Sequence, residues 1–373
     1  MKDSKKSTMP GLLIKHKRLN NTGVLLVITV SLFVLLYIIS SLLFTNSNFA
    51  KYSVFFNFFN SKAYLLMLAL GLTVVITTGS IDISVGGVTG LVSMVTAVML
   101  TGHGVNAIWT IPVSLSIGLA FGIVQGYLVS YLEIQPFIVT LTGMFFARGM
   151  ISVINSKSVP ITDHLFMSWS SAKVYIPFLY NERKNGTHDV AYLTPAAIAA
   201  IIVLIVIIIM LKKTKFGRSL YAIGGNAQSA VLMGINVKRT KFMAHVLCGL
   251  LAGIGGLLYT LFAPSGNPGN GYGYEIDAIS SSVIGGVMLT GGVGLPVGTL
   301  FGVLINALIE RVVPLFGIVD ASWPRIITSI FLFAFIVLQS IFAIASKKGG
   351  IKLLLPEWMR FKSDKKYRRD LTS

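Results

Sequence analysis

Asp82 has the most constraining setting of any polar residue in this 373-residue chain. It stands in Thr77-Thr78-Gly79-Ser80-Ile81-Asp82-Ile83-Ser84-Val85-Gly86-Gly87, between two long apolar runs. An ionised carboxylate held near hydrocarbon is costly, so it faces a cavity or a partner. Two roles fit. Asp82, with Ser80 and Ser84, can line a polar path for a small solute, or it can cap a helix beginning near Ser84 by accepting from free backbone N–H groups. Glu275 and Asp277, after the Gly/Asn/Pro-rich stretch 265–274, present the same choice. Gln125 and Asn306 add neutral amides, which suit a neutral hydroxyl-bearing ligand and can also hold helices together in lipid. Catalytic constellations are missing. No G-x-x-x-x-G-K-[ST] string occurs, the five histidines show no metal-ligand spacing, and one cysteine, Cys248, allows neither an internal disulfide nor a thiolate metal site.

The elements that must position these residues follow from composition. Apolar residues make up 54% of the chain and charged residues 12%, about half the usual share for a soluble domain. The apolar residues come in long runs such as 196–211, matching a ~30 Å hydrocarbon slab at ~1.5 Å per residue. The fold class is therefore an all-α polytopic membrane protein. Ten spans are expected, at about 23–44, 62–79, 85–100, 107–131, 136–154, 192–211, 241–262, 277–290, 295–316 and 324–345. The net charge of +18 does not indicate nucleic acid, because 22 of the 31 Lys and Arg lie in 1–22, 212–241 and 346–373, each bordering a span. That is the positive-inside pattern, with the remaining basic role being contact with anionic lipid. It makes 1–22 a cytoplasmic N-terminal segment, 23–345 the membrane domain, 155–191 an extracytoplasmic loop, 212–241 a cytoplasmic loop and 346–373 a cytoplasmic basic tail.

A repeat is visible inside the membrane domain. Gly118-Leu119-x-x-Gly122-x-x-x-Gly126-x-Leu128-x-x-x-Leu132 recurs as Gly294-Leu295-x-x-Gly298-x-x-x-Gly302-x-Leu304-x-x-x-Leu308. The span count puts these strings on antiparallel helices, so spans 2–5 and 7–10 form an inverted repeat of the kind that builds transport paths. The third and eighth spans are too short to cross alone, so their Asp-bearing starts lie within the membrane, where irregular backbone survives beside protein or water. Gly118/Gly122/Gly126, Gly249/Gly253 and Gly298/Gly302 have small-xxx-small spacing, for packing within the chain or against another subunit. Glu133, Arg148, Glu310, Arg311 and Arg325 are expected to pair across helices, Glu310 with Arg325 for instance.

In the 212–241 loop, Asn226 is a good N-cap and Gly234 a good helix stop, defining a two-turn helix between them. Val231 and Leu232 would leave an apolar patch on it, either for a partner protein or tucked against the bundle.

These strings together carry a family resemblance. Gly79–Gly86, Gln135-Pro136-Phe137-Ile138-Val139-Thr140-Leu141, Phe216–Asn226, Glu275-Ile276-Asp277-Ala278-Ile279 and Val283-Ile284-Gly285-Gly286 make the chain similar to permease subunits of bacterial ATP-driven sugar importers of the ribose type, from about 60 to 345. Gly143–Gly149 and Ser158–Ile161 are similar to one permease of galactofuranose importers, with fructose importers close relatives. The resemblance implies a multi-pass protein of the bacterial inner or plasma membrane that moves a monosaccharide inward by alternating access and is not itself an enzyme. It binds no cofactor; ATP and Mg are used by a cytoplasmic ATPase subunit. Further implied partners are a second permease, paralogue or copy, and an extracytoplasmic sugar-binding protein. Ser80, Asp82, Ser84, Gln125 and Asn306 are the expected path residues. Gly225, Asn226, Ala230, Val231, Leu232 and Gly234 become the coupling helix for the ATPase. The competing class is a stand-alone ion-coupled secondary transporter, for which Asp82 is the clear acidic candidate away from a span end.

Overall fold

The computed structural model describes residues 21–45, 49, 51–182, 188–318, 320 and 322–347. The basic segments 1–22 and 346–373 lie outside them except for Asn21, Thr22, Ser346 and Lys347. The described helices, in order, are α1 (Asn21–Leu43), α2 (Tyr52–Thr77), α3 (Val85–Ala97), α4 (Thr110–Ser130), α5 (Pro136–Ile154), α6 (His164–Ser171), α7 (Pro195–Lys213), α8 (Lys215–Gly225), α9 (Ala227–Leu232), α10 (Val237–Phe262), α11 (Tyr274–Ile284), α12 (Pro296–Val312) and α13 (Ser322–Lys347). Two short antiparallel pairings join them: β1 (Val159–Pro160) with β4 (Ser265–Gly266), and the hairpin β2 (Val174–Glu182) with β3 (His188–Leu193).

Local chemistry sets the helix starts. Pro136, Pro195 and Pro296 open α5, α7 and α12, where a missing N–H costs no intrahelical bond. Asn236 Oδ1 accepts from Arg239 N at 2.9 Å and starts α10 four residues before the expected limit. Among the described residues, nine helical segments are long and apolar enough to cross a bilayer. The expected span at 277–290 is instead the 11-residue α11, stopped by Gly285 and by Gly286 at φ 88°. α2 begins ten residues earlier than expected, because Asn57, Asn60, Ser61 and Lys62 mask a helical stretch from hydropathy.

Residue pairings reveal how the helices run. Tyr64 meets Tyr259 edge-on at 5.1 Å between ring centroids while Gly71 lies against Cys248, so α2 and α10 are antiparallel. α4 runs antiparallel to α10, with Gly253 against Ser114 and Gly126 against Phe242. α12 runs antiparallel to α2, through Thr299 on Thr73 (2.7 Å between hydroxyls) and Glu310 on Lys62. α3 lies parallel to α10 and α5; α11 lies parallel to α2, through Ser282 on Ala69, and to α13, through Gln339 on Val283 and Val287. Exchanging α2 with α10, α3 with α11, α4 with α12 and α5 with α13 maps this set of packings onto itself. Spans 2–5 and 7–10 are thus two halves of opposite direction around the α2–α10 pair. α2 is the buried centre, with Leu65 to Ile76 almost wholly enclosed.

The Gly-Leu string located the correct helices in the wrong register. Gly118 sits within α4, whereas Gly294 precedes α12. Their partners differ as well: the α4 glycines meet α10, and Gly298 and Gly302 meet Gly285, just past α11, and Ser281 within it. All these glycine faces pack within the chain.

The two ends of the bundle are chemically distinct. The β2–β3 hairpin is tied to the start of α2, where Tyr52 N donates to Asn181 Oδ1 (3.1 Å) and Asn60 Nδ2 to Tyr192 O (3.0 Å). α8 and α9 sit at the other end, roughly 39 Å along this 26-residue helix. Leu25 of α1 meets Gly286, and α13 runs parallel to α2, so α1 starts and α13 ends on the α9 side.

A Cβ on Gly249 would overlap the Gly118 carbonyl oxygen, whereas one on Gly149 meets nothing within 4 Å. Gly249→Ala is therefore expected to lower the unfolding temperature in detergent by several degrees, a cost of about 1–3 kcal/mol. Gly149→Ala should leave it unchanged or slightly raised; equal effects of the two would contradict this packing.

Candidate functional site

α2 stops at Thr77, and Gly79, at φ 79°, turns the chain away from the helix direction. The non-helical residues 80–83 then run inside the bundle until α3 begins. Asp82 is 1% exposed, and its Oδ1 accepts from Ser84 N (2.9 Å) and Ser84 Oγ (2.7 Å). The capping role expected for it is realised at the start of α3. Ser84 Oγ also lies 3.2 Å from the side-chain amide of Gln125 on α4. Asp82, Ser84 and Gln125, distant in sequence, are thus brought into one buried polar cluster. Ser80 is buried with an unpartnered hydroxyl, and Asn306 is buried on α12 with an unpartnered Oδ1 and no hydrogen bond to the other four.

Sequence reading missed two members of this cluster. Cys248 and His245 lie one helical turn apart on α10, close enough to Asp82 to interact with it electrostatically. His245 is fully buried and neither ring nitrogen has a partner. The available signal was a polar pair at i, i+3 inside an otherwise apolar helix.

The second half has its own break. Residues 263–273 enter the bundle without forming a helix, and α11 begins where Tyr274 stacks on Tyr64 at 5.1 Å. Asn270 ties the segment down, donating to Ser93 Oγ (2.9 Å) and Ser265 O (2.8 Å). Glu275 pairs with Arg148 of α5 at 2.8 Å, and the guanidinium also stacks over Tyr272 at 4.5 Å. Glu310 pairs with Lys62, not with Arg325 as expected; Arg325 Nη2 instead donates to Tyr272 O at 3.0 Å. Glu133 pairs with Lys238 at 2.8 Å, and that ammonium holds the carboxyl below its usual range.

At the far end of α2, α8 and α9 form a seat and a knob. Thr214 Oγ1 accepts from Gly217 N (3.1 Å) to start α8, and Asn226 Oδ1 accepts from Ser229 N (2.8 Å) to start α9. Gly234, at φ 77°, turns the chain after α9, in the place expected for a helix stop. Ala230 is buried, while Val231, Leu232 and Met233 are 59%, 88% and 66% exposed. The apolar patch does not tuck against the bundle. α8 does: Tyr221 OH donates to Gly294 O at 2.7 Å, and Gly224 touches Thr77 O and Gly292 N, themselves part of a hydrogen bond of 2.9 Å. The knob is therefore connected through α8 to the end of α2, three residues before Ser80. Lys215, Arg218, Lys238 and Arg239 flank it in sequence.

Comparison with known proteins agrees with this architecture. The family profile described as "Branched-chain amino acid transport system / permease component" matches residues 54–339. "Inner membrane ABC transporter permease protein YjfF" of Escherichia coli (strain K12) is 37% identical over 84% of this chain and 91% of its own length. "Fructose import permease protein FruG" of Bifidobacterium longum (strain NCC 2705) is 33% identical over 83% of this chain and 88% of its own. "Ribose import permease protein RbsC" of Escherichia coli (strain K12) is 35% identical over 78% and 85%. No solved structure matches the chain.

Arg148 holds a buried carboxylate from across the bundle, so its removal leaves Glu275 charged and unpaired. Arg148→Met should destabilise by about 3 kcal/mol. Arg148→Lys should fall between it and the unaltered protein, since it keeps charge but loses the flat stack on Tyr272. Thermal unfolding in detergent checks this order.

Proposed function

The chain belongs to the branched-chain amino acid transport system permease family, and from that premise we propose that it is the permease subunit of an importer that carries a monosaccharide inward by alternating access. It is a multi-pass membrane protein, and the catalytic work of ATP hydrolysis falls to a separate subunit. The sugar is galactofuranose, ribose or fructose-like; the names of two relatives support fructose and ribose. The protein sits in the bacterial inner or plasma membrane with both termini and α9 in the cytoplasm and the 155–191 loop outside. Charge supports that orientation through the positive-inside rule. Its partners are a cytoplasmic ATPase that uses ATP and Mg, a second permease (paralogue or copy) and an extracytoplasmic sugar-binding protein. Ser80, Asp82, Ser84, Gln125 and Asn306 line or support the path.

One observation carries the reading: an apolar knob, Val231-Leu232-Met233, stands exposed on a capped two-turn helix beyond the membrane end of α2. Such a knob has no use in a chain that works alone, and it fits a groove on a soluble protein. Gly225, Asn226 and Gly234 set the knob's backbone, and Ala230 anchors it. α8 then joins it to Thr77 and to the 291–294 turn, so a docked ATPase acts on both halves of the permease.

Replacing Val231 and Leu232 together by Asp should abolish co-purification of the ATPase while leaving membrane insertion intact; normal yield of the complex would refute the assignment. Gly224→Val should separate the two steps, because it unseats α8 without altering the knob. The complex is expected to assemble, with sugar uptake in proteoliposomes reduced at least about tenfold. Uptake by this chain alone under a sodium or proton gradient would instead favour a secondary transporter.

A further inference from the structure

α4 ends on the α9 side of the bundle in a turn, Tyr131-Leu132-Glu133-Ile134, that leads into α5. Ile134 N donates to Leu128 O (3.2 Å) and Leu132 N to Tyr127 O (3.4 Å), the pattern that closes a helix through a left-handed residue. That residue is Glu133, at φ 57°; every other described residue with positive φ is glycine. A side chain at such a position is strained, and strain of this kind points to a task for the residue. Folding stability does not supply one. The Glu133 side chain is 70% exposed, and its 2.8 Å ion pair with Lys238 Nζ, itself 54% exposed, is of the kind that adds little to folding. The pair acts instead on geometry. Lys238 is the second residue of α10, five residues after Met233, so it fastens the α4–α5 turn beside the α9 knob.

The turn is apolar around its carboxylate, with Tyr131, Leu132 and Ile134 42%, 54% and 38% exposed. Depth and charge decide what meets them. Trp109, 62% exposed at the other end of α4, marks one bilayer surface, and the 21 residues of α4 rise about 31 Å, the thickness of the hydrocarbon core. The turn therefore lies at or past the opposite surface. An exposed carboxylate between Leu132 and Ile134 also suits a protein better than an anionic leaflet. Area points the same way. α9 has six residues, whereas a stable protein interface takes about 800 Å² and roughly 20–30 residues from each side. The ATPase must cover more of this chain than the knob. We propose that the α4–α5 turn is a second docking surface for the ATPase, continuous with α9, and that Glu133 and Lys238 set the spacing between the two. This rests on the importer reading above and extends it. α4 carries Gln125, so a docked ATPase reaches the Ser84 cluster through α4 directly as well as through α8.

The test places a benzophenone photo-cross-linker in the complete importer in native membranes, in turn at Leu132, at Leu232 of the knob and at Val153. Val153, 79% exposed on the last turn of α5 at the hairpin end, is the negative control. Leu132 and Leu232 should both cross-link to the ATPase and Val153 should not. An ATPase cross-link from Leu232, with only lipid or a second permease captured from Leu132, would overturn the second surface and leave the knob standing. No ATPase captured from Leu232 would instead remove the coupling reading on which this one rests. Leu132→Asp should weaken ATPase binding about tenfold, the scale of one interface anchor, with membrane insertion intact; unchanged binding would count against the proposal. Glu133→Gly keeps the left-handed turn and removes the ion pair. Its unfolding temperature should be equal or higher, while the yield of the Leu132 cross-link falls. An unchanged yield would show that Glu133 does not position the turn.

Discussion

Backbone polar groups cannot be left open to hydrocarbon, and this chain interrupts its helices at 78–84, 263–273 and 285–295. Everything around those breaks satisfies or shields them. Thr77 O accepts from Gly292 N at 2.9 Å, so the first break is closed by the third. Met288 N bonds Val293 O at 3.0 Å within the third, and the Asn270 side chain spans the second. Asp82 covers the N–H of Ser84 just before α3 resumes. Side chains alone would not suffice, because the breaks need other backbone within van der Waals reach. Glycine supplies that approach: Gly86 and Gly90 bring α3 onto the 270–275 segment, and Gly298 brings α12 onto Gly285. The need to enclose irregular backbone and the wealth of glycine are one constraint seen twice.

Much of this was legible in the residues. Apolar run length gave the long helices, and the basic loop 212–241 and the loop 155–191 fall at opposite ends of the bundle, with α8 and α9 at one and the hairpin at the other. Asn226 marked the start of α9 and Gly234 its stop. The failures have physical reasons. α2 was read too short because a helix at the bundle centre can carry Asn60 and Lys62 where packed neighbours receive them. The Gly-Leu string found the two related helices but not their alignment, since Gly and Leu recur for packing needs that differ between α10 and α11 as neighbours. Glu310 was paired with Arg325 on sequence proximity, whereas partners in a helical bundle are chosen by depth along the membrane, and Lys62 lies at the same depth.

The buried cluster around Asp82 was half visible. Asp82 and Ser84 announce themselves by charge and by the break, and Gln125 by its amide. His245 and Cys248 did not, because only the α3–α10 packing brings them to the carboxylate. A site assembled from three helices hides the members whose own segment looks like ordinary membrane helix.

The twofold arrangement also explains why α8, although short, has leverage in the proposed importer. The halves meet along α2 and α10, and each half has an irregular segment near its α9-side end. α8 rests on the end of α2 through Gly224 and on the turn before α12 through Tyr221 and Gly292, so it touches one half and then the other within a single helical turn. A side chain larger than hydrogen at 224 would hold the two surfaces apart. With glycine there, α8, the Thr77 carbonyl and the 291–294 turn move as one packed unit, since close-packed groups transmit displacement and do not absorb it. Pressure on α9 therefore reaches the Asp82 break and the start of α12 together, which is the geometry that opposite motion of two inverted halves requires.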